Sequence, residues 1–456
     1  MSDPLIITAK ETIGVAPDEP VFGSFASGVA ITFASRLLIL ACAVGSSIIV
    51  ARWLGPEGTG ALAVLNVTVA LAMQLGSAGL PSATIYFVAR DRSRLAPVWL
   101  NGVVFSLAAG VVIAIAVIAT GKLRPDIFNS VSARLISIAS ISIPFQLLTL
   151  MGLNLLLAID KIRLMNALDS LSSLFLVANA FVVLVIWRQQ LPVLVWFNTA
   201  TAVVAGLILI LFVARLLRRQ HRGDVWRPNF SLLRQMLFYG LKFYISIFAG
   251  FCIFRADLLI VNHFRGAPEA GVYAIASQYS FLLIMLPGVI ASLLFPRVAS
   301  RQDETAAYTV EVTRHTSLVM LVVCIAAAGA SFVVPIVYGA RFGDATIQML
   351  IMLPGVFLIS LESVLVQHFT GTGLPAIIPV FWLITMVVNV GLNLATVPAW
   401  GGRAAAINSS VSYGLIFIVV AIYFCRRTGR SARETFIPRI SELRDVFALL
   451  RYAFAK

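Results

Sequence analysis

Apolar residues fill this chain in long blocks, separated by short connections rich in charge, glycine or proline. Twelve blocks reach the length of about 20 residues that a helix needs to cross a bilayer. They cover 28–52, 60–89, 96–120, 133–159, 163–187, 191–216, 234–262, 271–296, 313–338, 345–369, 376–397 and 403–425. None alternates at period two as barrel strands do. Backbone groups in lipid must bond within their own segment, so each block predicts a helix. The expected fold is an all-α polytopic membrane protein of about 12 transmembrane helices.

The blocks divide the chain into units. A polar tail, 1–27, is expected to be disordered and cytoplasmic. An N-lobe of six spans covers 28–216, and a basic cytoplasmic linker covers 217–233. A C-lobe of six spans covers 234–425, and a basic cytoplasmic tail covers 426–456. The halves echo one another. Gly55 and Gly60 in WLGPEGTGALA (Trp53–Ala63) match Gly266 and Gly271 in FRGAPEAGVYA (Phe264–Ala274), at one offset of 211 residues. Each pair joins an outward helix to a returning one, where glycine permits a tight turn. Six spans per half keep the two repeats in the same orientation, related by a pseudo-twofold axis along the membrane normal with a central cavity between the lobes.

Composition agrees. The chain is 60% hydrophobic and 12% charged, against about one quarter charged in a soluble protein. Mean hydropathy is +0.95. The net charge of +14 does not point to nucleic acid, because the basic residues gather in connections. With the N-terminus inside, 23 Lys and Arg fall in cytoplasmic connections and 8 in outer ones, which places both termini in the cytoplasm. Met1–Phe22 lacks the basic and apolar regions of a signal peptide. Cys42, Cys252, Cys324 and Cys425 have no paired spacing and read as small apolar packing residues.

Six ionisable residues lie within spans: Arg36, Asp169, Lys242, Arg255, Asp257 and Glu362. Each would cost about 2.5–3.5 kcal/mol at the bilayer centre on the insertion scale, so each needs a partner or a hydrated cavity. Three are basic and three acidic, and interhelical pairing would account for all of them. Arg255 and Asp257 are two apart and do not face each other on a helix; one can face a cavity while the other meets a neighbouring helix. The functional reading gives Arg255, with Arg36 or Lys242, to an anion, since guanidinium forks onto phosphate. Asp257 and Glu362 are candidates for proton or cation coupling. The amides Asn66, Gln74, Gln146, Asn154, Asn179, Gln278, Asn389, Asn393 and Asn408 are spread along the chain as helix–helix glue or cavity lining. Pro81, Pro144, Pro287, Pro335, Pro354 and Pro379 mark kinks, static or mobile.

Enzyme motifs are missing: there is no GxxxxGK, HExxH or GxSxG, and Gly371–Ala376 fits GxGxxA only as a loop between spans. No catalytic residue, metal site or cofactor is expected, and the chain reads as no enzyme.

Four stretches carry a family resemblance: ARWLGPEGTG (Ala51–Gly60), FRADLLIVNHFRGAPEAGVYA (Phe254–Ala274), LFPRVAS (Leu294–Ser300) and VNVGLNLATVPAWGGRAAA (Val388–Ala406). Together they resemble bacterial polysaccharide-biosynthesis flippases of the Wzx type, which handle O-antigen or exopolysaccharide units. That family shares a superfamily with multidrug and toxic compound extrusion transporters and the lipid II flippase. Arg265 stands where Leu is common, Ala404 where Gly is common, and many relatives have fourteen spans. The resemblance implies two six-helix lobes in the cytoplasmic (inner) membrane. It also implies a lipid-linked oligosaccharide on undecaprenyl diphosphate as substrate, phosphate contacts from Arg36, Lys242 and Arg255, and a polysaccharide polymerase with assembly proteins as partners. A cation-coupled multidrug antiporter is the first alternative, disfavoured by the absence of a carboxylate in the first span. A membrane polymerase or ligase is the second, disfavoured by short outer loops.

Overall fold

The computed structural model describes residues 21–129, 131–220, 227–299, 303, 305–373 and 375–439. Side chains at 21–30, 219–220, 242–243, 289–290, 292–293, 295–297 and 299 are outside the described residues. Most of the tail 1–27, all of 221–226 in the linker and the last part of the C-terminal tail fall outside too. The backbone of the first helix already begins at Val21, inside the stretch expected to be a tail.

Fifteen α-helices and no strands are present among the described residues. They are α1 (Val21–Ser77), α2 (Leu80–Arg90), α3 (Leu95–Leu123), α4 (Pro125–Phe128), α5 (Ala133–Ser140), α6 (Ser142–Ala158), α7 (Ile162–Ala180) and α8 (Leu191–Gln220). Then come α9 (Phe230–Arg265), α10 (Ala267–Ala299), α11 (Ala307–Ser331), α12 (Val334–Tyr338), α13 (Gly343–Gly371), α14 (Ile377–Thr428) and α15 (Ala432–Phe436). Among the described residues, ten helical stretches are long and apolar enough to cross a membrane. Two of them, Ile31–Ser77 and Ile377–Thr428, are double length. Gly55 (φ 65°) divides the first and Gly401 (φ 60°) the second. Each piece then has about the 20 residues of one crossing, which returns the twelve spans read from the sequence.

Several spans are less regular than their apolar runs suggest. The second breaks at Ala78 and Gly79, both at positive φ, and Pro81 opens α2 in the first turn, where its missing N–H is harmless. The fourth is split between α5 and α6 near Pro144, and the fifth ends in a π-helical turn, Phe181–Ile186. The ninth ends at Ser331, and Pro335 starts the separate short helix α12. Pro354, in contrast, stays inside the continuous α13. Pro81 and Pro335 therefore mark helix starts, and Pro354 interrupts none.

The matched glycines meet. Gly55 (φ 65°, ψ −170°) and Gly266 (φ 83°, ψ 174°) share one left-handed conformation that L side chains rarely adopt. Five residues on, Gly60 and Gly271 pack reciprocally. A Cβ on Gly60 would lie 1.8 Å from the Ala267 carbonyl oxygen, and one on Gly271 would lie 2.1 Å from the Pro56 carbonyl oxygen. Ala267 is Pro56 shifted by the same offset, so each repeat makes on the other the contact it receives. This glycine-turn end is further closed by Asn262 Nδ2 donating to the Phe128 carbonyl (2.8 Å) and Asn129 Nδ2 to the Asn262 carbonyl (3.2 Å). Arg52 donates to the Val337 carbonyl at the C-terminus of α12 (2.6 Å) and also to that of Ile336. At the far end, Gly79 and Gly240 form a second reciprocal contact, each Cβ position falling 2.4–2.5 Å from the other's carbonyl oxygen. That end also carries the basic connections.

A side chain at Gly60 or Gly271 must displace backbone, and overpacking of this kind costs about 1–3 kcal/mol or more. Gly60→Ala and Gly271→Ala are each expected to lower the thermal unfolding midpoint in detergent. Gly391→Ala, where a Cβ meets nothing within 4 Å, is expected to leave it unchanged or raise it. Equal midpoints for all three would show that the two repeats do not rely on this contact.

Candidate functional site

Two adjoining cavities occupy the interior. The first, about 450 Å³, lies among α1, α7, α9 and α10 and is lined by Arg36, Asn66, Arg255, Asp257 and Gln278 together with mainly apolar side chains. The second, about 500 Å³, lies among α1, α5, α6, α7 and α8. Ser46, Leu62, Asn66 and Leu176 line both, so one wall separates them.

The ionisable residues of the spans meet four different fates. Arg36 donates to Asp169 at 3.2 Å, from α1 to α7, with side chains 45% and 33% exposed. Arg36 borders the first cavity and Asp169 the second, so this pair sits where the two meet. An ion pair this exposed is worth about 1 kcal/mol or less. Asp257 is buried and takes no cation among the described residues. It accepts from the Tyr273 hydroxyl, the Ser409 hydroxyl (3.0 Å) and the Leu258 N–H (2.8 Å). Neutral donors from α10 and α14 thus surround this carboxylate. Glu362 on α13 is also buried, and its Oε1 has no hydrogen-bond partner among the described residues. Of those residues, the Trp382 side chain is the one donor acting on it. Lys242 lies on α9, and its side chain is outside the described residues.

Arg255 differs from all of these. Among the described residues it makes no hydrogen bond or ion pair. Its guanidinium stands 4.5 Å over the Phe281 ring, facing the first cavity. The ring quadrupole attracts the cation, by about 0.5–2 kcal/mol depending on desolvation, yet leaves every N–H free to donate. Arg255 faces the cavity over Phe281, while the Asp257 carboxylate, at the border of the same cavity, is taken by donors from α10 and α14.

The amides separate by position. Asn389, Asn393 and Asn408 are buried within α14, where Asn389 donates to Ser412 (2.9 Å) and Asn408 to both Asn393 (3.2 Å) and Thr396 (2.8 Å). They fasten the two arms of α14 together. Asn66 and Gln278 line the first cavity with no hydrogen-bond partner among the described residues. Sequence reading passed over Phe281, Ser409 and Asn198. Only Tyr273 carried a signal, inside the GxY of the family-like stretch. Arg265, unusual for the family, also finds a role. It holds Glu269 at 2.8 Å, and Glu269 accepts from the Gly402 N–H (2.8 Å) at the break in α14. Outside the spans, Arg124 forks onto Asp126 and holds that carboxyl below the usual carboxylate range by hydrogen bonding, beside the His263 contact that helps close the turn end.

A family model described as "Polysaccharide biosynthesis protein" matches residues 49–347. No curated protein matches the chain by sequence. Among solved structures, the chain is similar to the lipid II flippase MurJ in an inward closed conformation, with a TM-score of 0.69 at 14% identity over 87% of each chain. It is similar to a multidrug resistance MATE family transporter of the MOP superfamily in its inward-facing conformation, with a TM-score of 0.70 at 15% identity over 88% of this chain and 98% of that one. Against an outward-facing conformation of a MATE transporter the TM-score is 0.58, at 14% identity over 88% and 95%. These likenesses establish a membrane-transporter fold.

The fates of the carboxylates give a stability test. Asp257→Ala leaves the Tyr273 and Ser409 hydroxyls with only each other (3.2 Å), so one buried O–H loses its acceptor, and an unsatisfied buried polar group costs about 1–3 kcal/mol. Glu362→Gln removes an oxygen that has no partner among the described residues. Thermal unfolding is expected to show a clear drop for Asp257→Ala and none for Glu362→Gln. The reverse order would mean that Glu362 is the better-satisfied group.

Proposed function

The chain belongs to the family of polysaccharide biosynthesis proteins, and from that premise we propose that it flips a lipid-linked oligosaccharide, carried on undecaprenyl diphosphate, across the cytoplasmic membrane. Arg255 carries this reading. It is a permanent cation lining the first cavity, in no ion pair among the described residues although Asp257 borders the same cavity, and it rests on an aromatic face. Phosphate oxygens can meet its free N–H groups without first breaking an ion pair, and in a partly desolvated site the attraction exceeds that in water. Arg36 stands at the cavity mouth as a second phosphate contact, available once Asp169 lets go. Lys242 is proposed as a third on the strength of its place on α9 alone.

The cycle is alternating access between two six-helix lobes, 28–216 and 234–425, linked by 217–233. The closed glycine-turn end supports an inward-open state, with the basic end and both termini in the cytoplasm. Oligosaccharide would enter from the cytoplasmic side and leave outside, toward a polysaccharide polymerase and assembly proteins. The machinery is non-enzymatic: positions, charges and a moving seal. Asp257 and Glu362 are proposed to couple transport to a proton or cation. Glu362, with its orphan oxygen, is the observation that favours the second reading, a cation-coupled multidrug-type antiporter.

Transfer of a labelled lipid-linked oligosaccharide across proteoliposomes tests the first reading. Arg255→Ala is expected to abolish transfer at normal folded yield. Arg255→Lys should retain part of it, because the charge survives and the fork does not. A charge-assisted hydrogen bond is worth about 1.5–3 kcal/mol, so substrate affinity should fall by about 10–100-fold in the alanine variant. Wild-type transfer in Arg255→Ala would remove this arginine from the site. A second check concerns orientation: a cysteine probe at Asn129 should label from outside intact cells, and one at Gly223 should not. Outside labelling at Gly223 would invert the topology.

A further inference from the structure

The second cavity has a chemistry of its own. Its polar lining consists of amides and hydroxyls, among them Gln146 and Thr149 on α6 and Asn198 and Thr199 on α8. Among the described residues, the one ionisable side chain in its lining is Asp169, and Arg36 holds that residue. An anion would find no free cation in this lining. A metal ion or organic cation would find no carboxylate but one already paired. We propose that this cavity is a neutral saccharide subsite, which receives the glycan while Arg255 holds the phosphate on the other side of the shared wall. This rests on the lipid-linked reading given above and adds to it the place and the means of glycan recognition.

The amides are held in position and still have capacity to bond. Gln146 donates once, to the Ser142 hydroxyl at 2.9 Å, which leaves its carbonyl and a second N–H. Asn198 uses its carbonyl to accept from Asn179 at 3.2 Å, and its NH₂ remains. Asn179 is fixed in turn by donating to Thr201 at 2.9 Å. Asn66, on the shared wall, has no partner among the described residues. A sugar hydroxyl both donates and accepts, and a planar amide with a free carbonyl or NH₂ answers either role. Orientation by one internal hydrogen bond reduces the ordering cost of binding. Leu150, Leu153 and Met73 supply apolar surface for the C–H face of a ring. The volume of about 500 Å³ lies within the range of about 300–1,000 Å³ typical of small-molecule sites. A phosphate on Arg255 and a sugar beyond Asn66 would be adjacent, as they are in a saccharide linked directly to a lipid diphosphate.

The test uses the full chain in lipid nanodiscs and native mass spectrometry. Two probes are compared: polyprenyl-diphosphate saccharides extracted from the cells that make this protein, and undecaprenyl diphosphate alone. Wild type is expected to prefer the saccharide-bearing lipid by about tenfold or more, the scale on which polar sites reject ligands that leave their groups unpaired. Gln146→Leu with Asn198→Leu should erase that preference and leave the affinity for undecaprenyl diphosphate unchanged. Asn66→Ala loses no bond to the described residues, so it keeps the fold, and it should erase part of the preference. Arg255→Ala should weaken both probes in parallel. Equal binding of the two probes by wild type would overturn the subsite, as would loss of both probes together in the Gln146 and Asn198 variant. Wild type that binds neither probe would instead overturn the lipid-linked reading on which the subsite rests.

Discussion

The approach of two backbones at Gly60 and Gly271 is the constraint on which the rest of the structure depends. Carbonyl oxygens stand where any other residue would carry a Cβ, so the starts of α10 and of the second arm of α1 touch without side chains between them. Around this contact the turn end closes. Gly55 and Gly266 turn the chain in the same left-handed conformation, Arg52 satisfies carbonyls at the end of α12, and Glu269 secures the break in α14. The Gly79–Gly240 contact holds the far end in the same way, and the first cavity runs between the two, from Arg36 to Thr59 beside the glycine turn. A seal of small residues can also reopen, because close backbone contact brings dispersion and few interlocking side chains.

Closed at that end, the bundle must still accommodate charge. Six ionisable groups in apolar spans could have formed three ion pairs, and among the described residues only Arg36 and Asp169 do so. Asp257 is enclosed by hydroxyls and an N–H, a shell that satisfies its oxygens and supplies no cation. Arg255 lies against Phe281, where its charge is stabilised and its donors remain free. Fixed pairing suits structure. A cation on a π face suits a ligand that must bind and then leave, because the ring takes the guanidinium back when the anion goes.

How much of this could be read beforehand depends on geometry the sequence does or does not encode. The glycine repeat was legible because φ-permissive residues recur at a fixed offset in connections of matching topology. That Arg255 and Asp257 do not pair with each other followed from their spacing of two on a helix. The twelve crossings followed from length and hydropathy, and Pro81, Pro144 and Pro335 marked where three of them break, though a proline alone does not say whether a helix bends or a new one starts. The amides could not be sorted. In a span that is apolar on every side, periodicity does not say which face looks inward, so Asn389 and Asn66 look alike until their neighbours are known. The carbonyl role of Asn198 depends on Asn179, nineteen residues away on another helix. Phe281 was invisible as a partner because an aromatic residue in an apolar run is ordinary.

The wall shared by the two cavities shows how these pieces fit together. Ser46, Leu62, Asn66 and Leu176 line both spaces, and the Arg36–Asp169 pair spans their junction. A molecule with one anionic group and one neutral polyhydroxyl group would place each where the matching chemistry already exists. The anionic part would set depth, because Arg255 is the one unpaired guanidinium among the described residues of the cavity. The neutral part would set selectivity, because cavity amides left without partners disfavour a ligand that lacks hydroxyls. Binding shared between one cation and several neutral amides is moderate at each contact, so in the proposed cycle no single bond would have to be broken at high cost for the seal to move from one end to the other.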